Sequence, residues 1–397
     1  MSPSRGGRGK NIARADRRTA TVDDGPPMST ILVSGVGALG GWALEFLARA
    51  PGVERVVTVK RSPWGGPSWT TVAMLGSAIE GHTKQFEHHQ VDLADESAMA
   101  RLLAEVRPDA IVHSATVQSP RILSGVALDP GLRAEVRAAT FGMWLPWQLW
   151  PATQLTRAIE LSGIDTHVVN ASFPDVVNVA IWRRFGHGPS TGAGNLEVCA
   201  ARVLRYAMAI TGRPAAEIDV SLVGSHALLT RGAVVPHNFR LTVDGADATE
   251  QVDLTAALSS WPETINWHGE IPNSLYAGSA VKNALALLGS EPLRTHVSAP
   301  MGLPGGYPAV VGSGTVQLRL PPGLDEAEAV AINDRAARFD GIERITDDGT
   351  VVYTAESRAA MENLGYHCEA VEFDDLARRR DELREVYRRL TSEGRDA

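Results

Sequence analysis

Thr30-Ile-Leu-Val-Ser-Gly35-Val-Gly37-Ala-Leu-Gly40-Gly41 is the stretch on which the fold turns. The run from Thr30 to Val33 leads into Gly35-x-Gly37-x-x-Gly40, and a helical pattern follows with Leu39, Ala43, Phe46 and Leu47 on one face. Strand, tight turn and helix in that order are what a dinucleotide-binding βαβ unit requires. Gly35 permits the turn, Gly37 lets the backbone approach a pyrophosphate, and Gly40 lets the helix lie close on the strand. The helix start at Ala38 and Leu39 then faces the negative charge. An ordinary βα turn can carry the same glycines; the position between a strand and a helix favours the dinucleotide.

Reading outward, Arg55–Lys60 is expected to be the second strand. Where its end usually offers a carboxylate to a ribose 2′-hydroxyl, this chain has Lys60-Arg61-Ser62. Two cations suit a 2′-phosphate, so NADP(H) is favoured over NAD(H). Gln85–Val91 reads as a third strand closed by Asp92, which is expected beside the adenine. Asp95 is expected to cap a helix over Glu96–Val106. Asp109–Ser114 reads as the fourth strand, and its end at Ser114-Ala115-Thr116 is expected on the nicotinamide side. Thr166–Ala171, with Asn170, reads as the fifth. His113, inside a strand, reads as packed rather than catalytic. Thr116–Arg137, which contains Arg121, Arg133 and Arg137, reads as a loop closing on substrate.

The composition, 44% hydrophobic and 21% charged over 397 residues, is that of a globular chain, and the length suits two domains. Two cysteines, Cys199 and Cys368, cannot build a disulfide framework or a Cys-rich metal site, so a cytoplasmic location is expected. No apolar stretch is long enough to span a bilayer, and no membrane partner is expected. Residues 1–27 carry six basic and three acidic side chains, which leaves −11 on the remainder. An acidic body argues against nucleic-acid binding. The prefix reads as a disordered basic tail, with an RNA-binding arm as the sharper alternative, and Met28 is a candidate translation start. Adjacent His88 and His89 point to opposite strand faces, so no metal is expected there.

Residues 28–180 are thus expected to form the nucleotide domain, and 181–397 a mixed α+β substrate domain. Helices are expected over Asn195–Ala209, Leu324–Arg338 and Phe373–Leu390, strands over Ile218–Val223, Asn238–Val243 and Thr315–Leu320, and a hairpin over Ile342–Tyr353 turned at Asp347-Asp348-Gly349. The apolar Phe141–Trp150 segment and the amphipathic last helix suggest a homo-oligomer, a dimer or tetramer.

A nicotinamide enzyme needs a proton relay. The four lysines are Lys10, Lys60, Lys84 and Lys282, and none has tyrosine four residues before it, which excludes a Tyr-x-x-x-Lys pair. The Asp92-Leu93 and Pro108–His113 phrases are nonetheless similar to extended short-chain reductases. Of the histidines, His226 is best placed: it ends a strand, follows Gly224-Ser225, and has Gly192-Ala-Gly-Asn195-Leu-Glu197 upstream. His237 and His268 are weaker candidates.

In Val169–Asp175, Gly192–Glu197 and Gly224–Ala227, taken in this order, the chain resembles the lactate/malate dehydrogenase superfamily over about residues 28–340. The resemblance implies a Rossmann doubly wound parallel sheet followed by a substrate domain, with His226 as proton donor or acceptor and Glu197 as the carboxylate that orients it. The family's substrate-clamping arginine falls on Ala200, so Arg202 or Arg205 would substitute only in a different helix register. Its mobile-loop arginine has a counterpart in Arg121, and the asparagine before the proline is Phe173, while Arg231 and Arg240 flank the His226 region as candidates for binding an anionic substrate. The expectation is hydride transfer between a nicotinamide cofactor and a carbonyl/hydroxyl carbon of a small polar, anionic substrate. The alternatives are an opine- or saccharopine-type enzyme acting on a C–N bond and a non-catalytic dinucleotide-binding protein.

Overall fold

Strand β1 (Ser29–Ser34) is an interior strand of a nine-stranded sheet and has apolar neighbours on both faces. Ile31 and Val33 pack into one core and Leu32 into another, because successive side chains leave opposite faces of a strand. In the computed structural model, which describes residues 29–119, 126, 128–259 and 272–393, β1 is followed by α1 (Ala38–Arg49), β2 (Val53–Lys60), α2 (Gly66–Ile79), β3 (Gln85–Gln90), α3 (Glu96–Val106) and β4 (Ala110–His113). Then come α4 (Pro130–Ala138), α5 (Leu145–Ser162), β5 (His167–Asn170), α6 (Pro174–Phe185) and β6 (Thr191–Gly192). Strands β3-β2-β1-β4-β5-β6 are parallel neighbours in that order, the doubly wound arrangement. The polar β3 lies at the sheet edge.

The later chain forms α7 (Asn195–Thr211), β7 (Ile218–Val223), α8 (Ala227–Arg231), β8 (Asn238–Val243), β9 (Ala246–Asp247), α9 (Leu254–Ser259) and α10 (Asn273–Leu288). It ends in β10 (Leu293–Ser298), β11 (Gly306–Gly312), β12 (Thr315–Leu318), α11 (Glu326–Ala337), β13 (Ile342–Ile345), β14 (Val351–Tyr353), α12 (Ala355–Asn363), β15 (Ala370–Val371) and α13 (Leu376–Glu393). The fold is the expected α/β Rossmann sheet with mixed α+β elements after it. Residue 180 does not interrupt the sheet: β10, β11 and β12 extend it antiparallel from β6. Helix α10, which falls outside every sequence expectation, packs Ala277, Ala280, Val281 and Ala284 into the same core as Ile31 and Val33. Strands β7-β8-β9 and β13-β14-β15 form two small antiparallel sheets, the second containing the expected hairpin.

Three local readings change. The stretch expected to be loop up to Arg137 contains α4, started by Asp129, whose carboxylate accepts the Gly131 and Leu132 N–H groups, with Pro130 in the first turn. The sequence suggests a helix over Val72–Ile79 after an interrupting Gly/Pro/Trp-rich segment, Pro63–Ser68, but α2 already begins at Gly66, inside that segment, again with a proline in its first turn. The Trp-rich segment and α13, which suggested self-association, cover one another: Trp144, Trp147, Leu383, Val386 and Leu390 share one core, and the Trp147 indole N–H donates to the Arg380 carbonyl at 3.1 Å. Their apolar faces are therefore used within one chain and give no argument for a second copy. Asp95 caps α3 as expected, accepting the Ala98 N–H at 2.9 Å.

Candidate functional site

The glycine turn has the geometry its sequence implies. Gly35 has φ +94°, and a Cβ there would come 2.5 Å from the Ala115 nitrogen; a Cβ at Gly40 would come 2.0 Å from the Gly35 carbonyl. Gly37 is the N-cap of α1, is exposed, and has open space where its side chain would be. The first turn of α1, with Ala38 and Leu39, has no acidic residue and no side-chain cap, so its N–H groups are left for an anion. Hydrogen bonds from Gly35 N–H to the Val59 carbonyl (2.9 Å) and from Ser114 Oγ to the Gly35 carbonyl (2.7 Å) tie the turn to β2 and to the end of β4.

A groove of about 230 Å³ runs along these strand ends. Gly35, Gly37, Lys60, Arg61, Asp92 and Ala115, predicted from separate parts of the chain, all line it. The Asp92 carboxylate accepts its own loop's Ala94 N–H at 3.1 Å. Asn170 does not line the groove: it is 1% exposed, and its amide is used in bonds with Ser172 and Asn178 at the turn after β5.

Trp150 and Pro151 also line the groove, and Pro151 explains how its far wall is held. Lying inside α5, it has no N–H to give to the Trp147 carbonyl four residues back. That carbonyl instead accepts Val117 N–H at 3.0 Å and Thr116 Oγ at 3.1 Å, anchoring the segment after β4 to the helix.

His226 follows β7, and an isolated bridge between Gly224 and Gly306 fixes that strand end against β11. Its imidazole Nδ1 lies 2.9 Å from Asp340 Oδ1, and its backbone N–H donates to Asp175 Oδ2 at 2.7 Å. All three residues are buried, with 5% or less exposure. Burial pushes the Asp175 carboxyl up, against the opposing pull of His226. The rings of Phe141 and Phe173 lie against the imidazole at 4.7 and 5.2 Å between centroids. Phe173 is held at φ +48°, a strained conformation for a non-glycine residue before proline.

Glu197 is not the partner of His226. It accepts hydrogen bonds from Ser279, Lys282 and Thr295. It lines a separate cavity of about 850 Å³ with Lys282, whose ammonium partial burial draws down to about 8. The candidate arginines are elsewhere too. Arg202 is buried and donates to the Leu258 carbonyl, and the exposed Arg231 donates to the Arg137 carbonyl. Arg121 and His268 lie outside the described residues. His237 bonds the Val235 carbonyl. His113 is buried beside Ser34 and drawn down to about 4 by loss of hydration, a packed histidine as expected. His88 bonds Thr58 and His89 bonds Glu87, on opposite sides of their strand.

Sequence reasoning missed Asp340 and gave Asp175 no role. A proline before Asp175 and a glycine after Asp340 were the only local signals; the pairing itself spans 114 residues.

The model of the NAD dependent epimerase/dehydratase family matches residues 31–122. No curated protein matches the chain by sequence. Among solved structures the chain is similar to a lactate dehydrogenase from a Medee basin deep-sea metagenome library (14% identity, 86% of this chain and 100% of that one, TM-score 0.54). It is also similar to Cryptosporidium parvum lactate dehydrogenase complexed with lactic acid and β-nicotinamide adenine dinucleotide (17%, 79% and 96%, 0.54), and to the malate dehydrogenase from Aeropyrum pernix (13%, 78% and 95%, 0.54). The chain therefore shares the Rossmann fold of these dehydrogenases. Among the described residues, no helix is long and apolar enough to cross a membrane.

Proposed function

We propose that the protein is an NADP(H)-preferring oxidoreductase acting on a carbonyl or hydroxyl carbon, with His226 and Asp340 as its proton relay. The observation that carries the reading is the groove at the ends of β1, β2 and β4, where a glycine turn, an uncapped helix start and two cations converge. When bound, the nicotinamide supplies or accepts the hydride. Gly37 and the first turn of α1 would take the pyrophosphate, while Lys60 and Arg61 would pair with a 2′-phosphate. A carboxylate on Nδ1 fixes the tautomer of His226 and orients its ring, leaving Nε2 as the atom to pass a proton. Substrate recognition by Arg202 or Arg231 is not part of this reading; Arg183 and Arg344 line the cavity on the Asp340 side instead.

A second reading, dinucleotide binding without turnover, is favoured by the aromatic cover over His226. One series of measurements tests both. NADPH and NADH are titrated against wild type and Gly37→Asp by fluorescence, and NADPH oxidation is then followed against a panel of carbonyl compounds. The expected result is tighter binding of NADPH than NADH, weakened about 100-fold or more by the introduced carboxylate, and turnover lost in His226→Ala. Absence of binding by either nucleotide overturns the proposal; binding with turnover indifferent to His226 overturns the relay.

A further inference from the structure

Trp150 is the one aromatic ring among the described residues that line the nucleotide groove, and the last helix of the chain holds it. The Arg380 guanidinium of α13 lies over the indole, 4.5 Å from the ring centroid, within reach of a cation–π contact. Its side chain is only 18% exposed, so it is no freely solvated surface cation. Asp381 fixes the guanidinium there, accepting from Nε at 2.9 Å and from Nη2 at 2.7 Å. The backbone of the same residue is tied to α5 as well, since its carbonyl accepts the Trp147 indole N–H. Further along α13, Tyr387 packs edge-on against Trp147 and is hydrogen-bonded to Gln118, in the segment that follows β4. Helix α13 therefore braces both parts of the far wall.

The lining of the groove decides which half of a dinucleotide would meet this ring. Its strand residues come from the ends of β1, β2, β3 and β4, and none comes from β5 or β6. With the pyrophosphate at Gly37 and a 2′-phosphate at Lys60 and Arg61, the ribose between them is that of the adenosine. Its base would then fall in the space lined by Val91, Leu93 and Trp150. A purine presents two flat faces, and an indole whose orientation is already fixed stacks on one of them without further loss of rotamer freedom. We infer that Arg380 is a positioning residue of the nucleotide site, holding the Trp150 indole as the wall on which the adenine stacks. This role rests on the dinucleotide reading of the groove and adds to it a residue from the far end of the chain.

Calorimetric titrations of the whole protein with NADPH, and with adenosine 2′,5′-bisphosphate, which lacks the nicotinamide half, provide the test. Trp150→Leu, which keeps apolar volume on α5, is expected to weaken both ligands about fivefold or more, and Trp150→Phe, which keeps a ring, much less. Arg380→Ala is expected to weaken both about threefold, and Arg380→Lys, which keeps a cation, less. A residue that acts through Trp150 has nothing left to position once the indole is gone. Arg380→Ala/Trp150→Leu is therefore expected to bind no more weakly than Trp150→Leu alone. Unchanged affinity in Trp150→Leu, a loss confined to NADPH, or additive losses in the double variant overturns the inference. Wild type that binds neither ligand overturns the dinucleotide reading and this role together. Tight NADPH binding indifferent to Trp150 leaves the reading standing and removes only the role of Arg380.

Discussion

The nucleotide groove and the His226 pair are built in opposite ways. The groove is made of backbone: three glycines, a helix start and strand ends, all within the parallel part of the sheet, with charged side chains only at its rim. The histidine pair is made of side chains from α6, the end of β7 and the turn after α11, buried and enclosed by aromatic rings. A backbone site tolerates sequence change as long as the turn survives. A buried charged pair depends on each member, since removing one leaves the other desolvated and alone.

The comparison can be broken most forcefully at Asp340. In Asp340→Asn, steady-state assays are expected to show turnover reduced by about 10²–10⁴-fold with NADPH affinity unchanged. Equal losses in both would mean that the two regions act as one.

Acid provides the next test. Burial holds His113 and His296 at about 4 and about 3, and the His296 ring accepts the Leu222 N–H, which a protonated ring cannot do. The unfolded chain protonates both near 6.5, so from there down to about 4 it binds more protons than the folded one. Stability then falls as pH falls, by at most about 1.4 kcal/mol per pH unit for each histidine. Denaturant unfolding at pH 7.0, 5.5 and 4.5 is expected to show this slope, shallower in a His113→Gln/His296→Gln variant. A rise in stability toward acid would refute it.

Smaller effects sharpen the groove. Replacing Lys60 and Arg61 by glutamine is expected to weaken NADPH about tenfold and NADH little, as read by fluorescence titration; equal losses would mark them as surface charge. Pro151→Ala restores an N–H that competes for the Trp147 carbonyl, now held by Thr116 and Val117. A loss of a few-fold in nucleotide affinity is expected without a fall in melting temperature.

The difference between the regions is also a difference in what a sequence can disclose. The Gly35–Gly40 turn is a short-range statement: each glycine answers to atoms of neighbouring strands in a fixed motif, and its role could be read directly. Lys60, Asp92 and Ala115 followed because parallel strands end on one side of the sheet. His226 was legible as a strand-end residue, but its carboxylate was not. Glu197 sits at a plausible spacing, yet the helix turns it toward Lys282 and Thr295. Asp340 reaches the imidazole only because β7 is pinned to β11 through Gly224 and Gly306. The covering of the Trp-rich segment by α13 was hidden for the same reason: both faces were seen, and their mutual contact is tertiary.

The sheet that begins at Ser29 is completed only by Leu318, and the core over Ile31 and Val33 only by α10. During synthesis, then, the strands that form the groove emerge first but must wait for the last third of the chain to gain their border strands and their cover. A polypeptide stopped at residue 180 would present the flank of β5 as an unpaired edge, an invitation to intermolecular strand pairing. The groove is encoded early and becomes durable late.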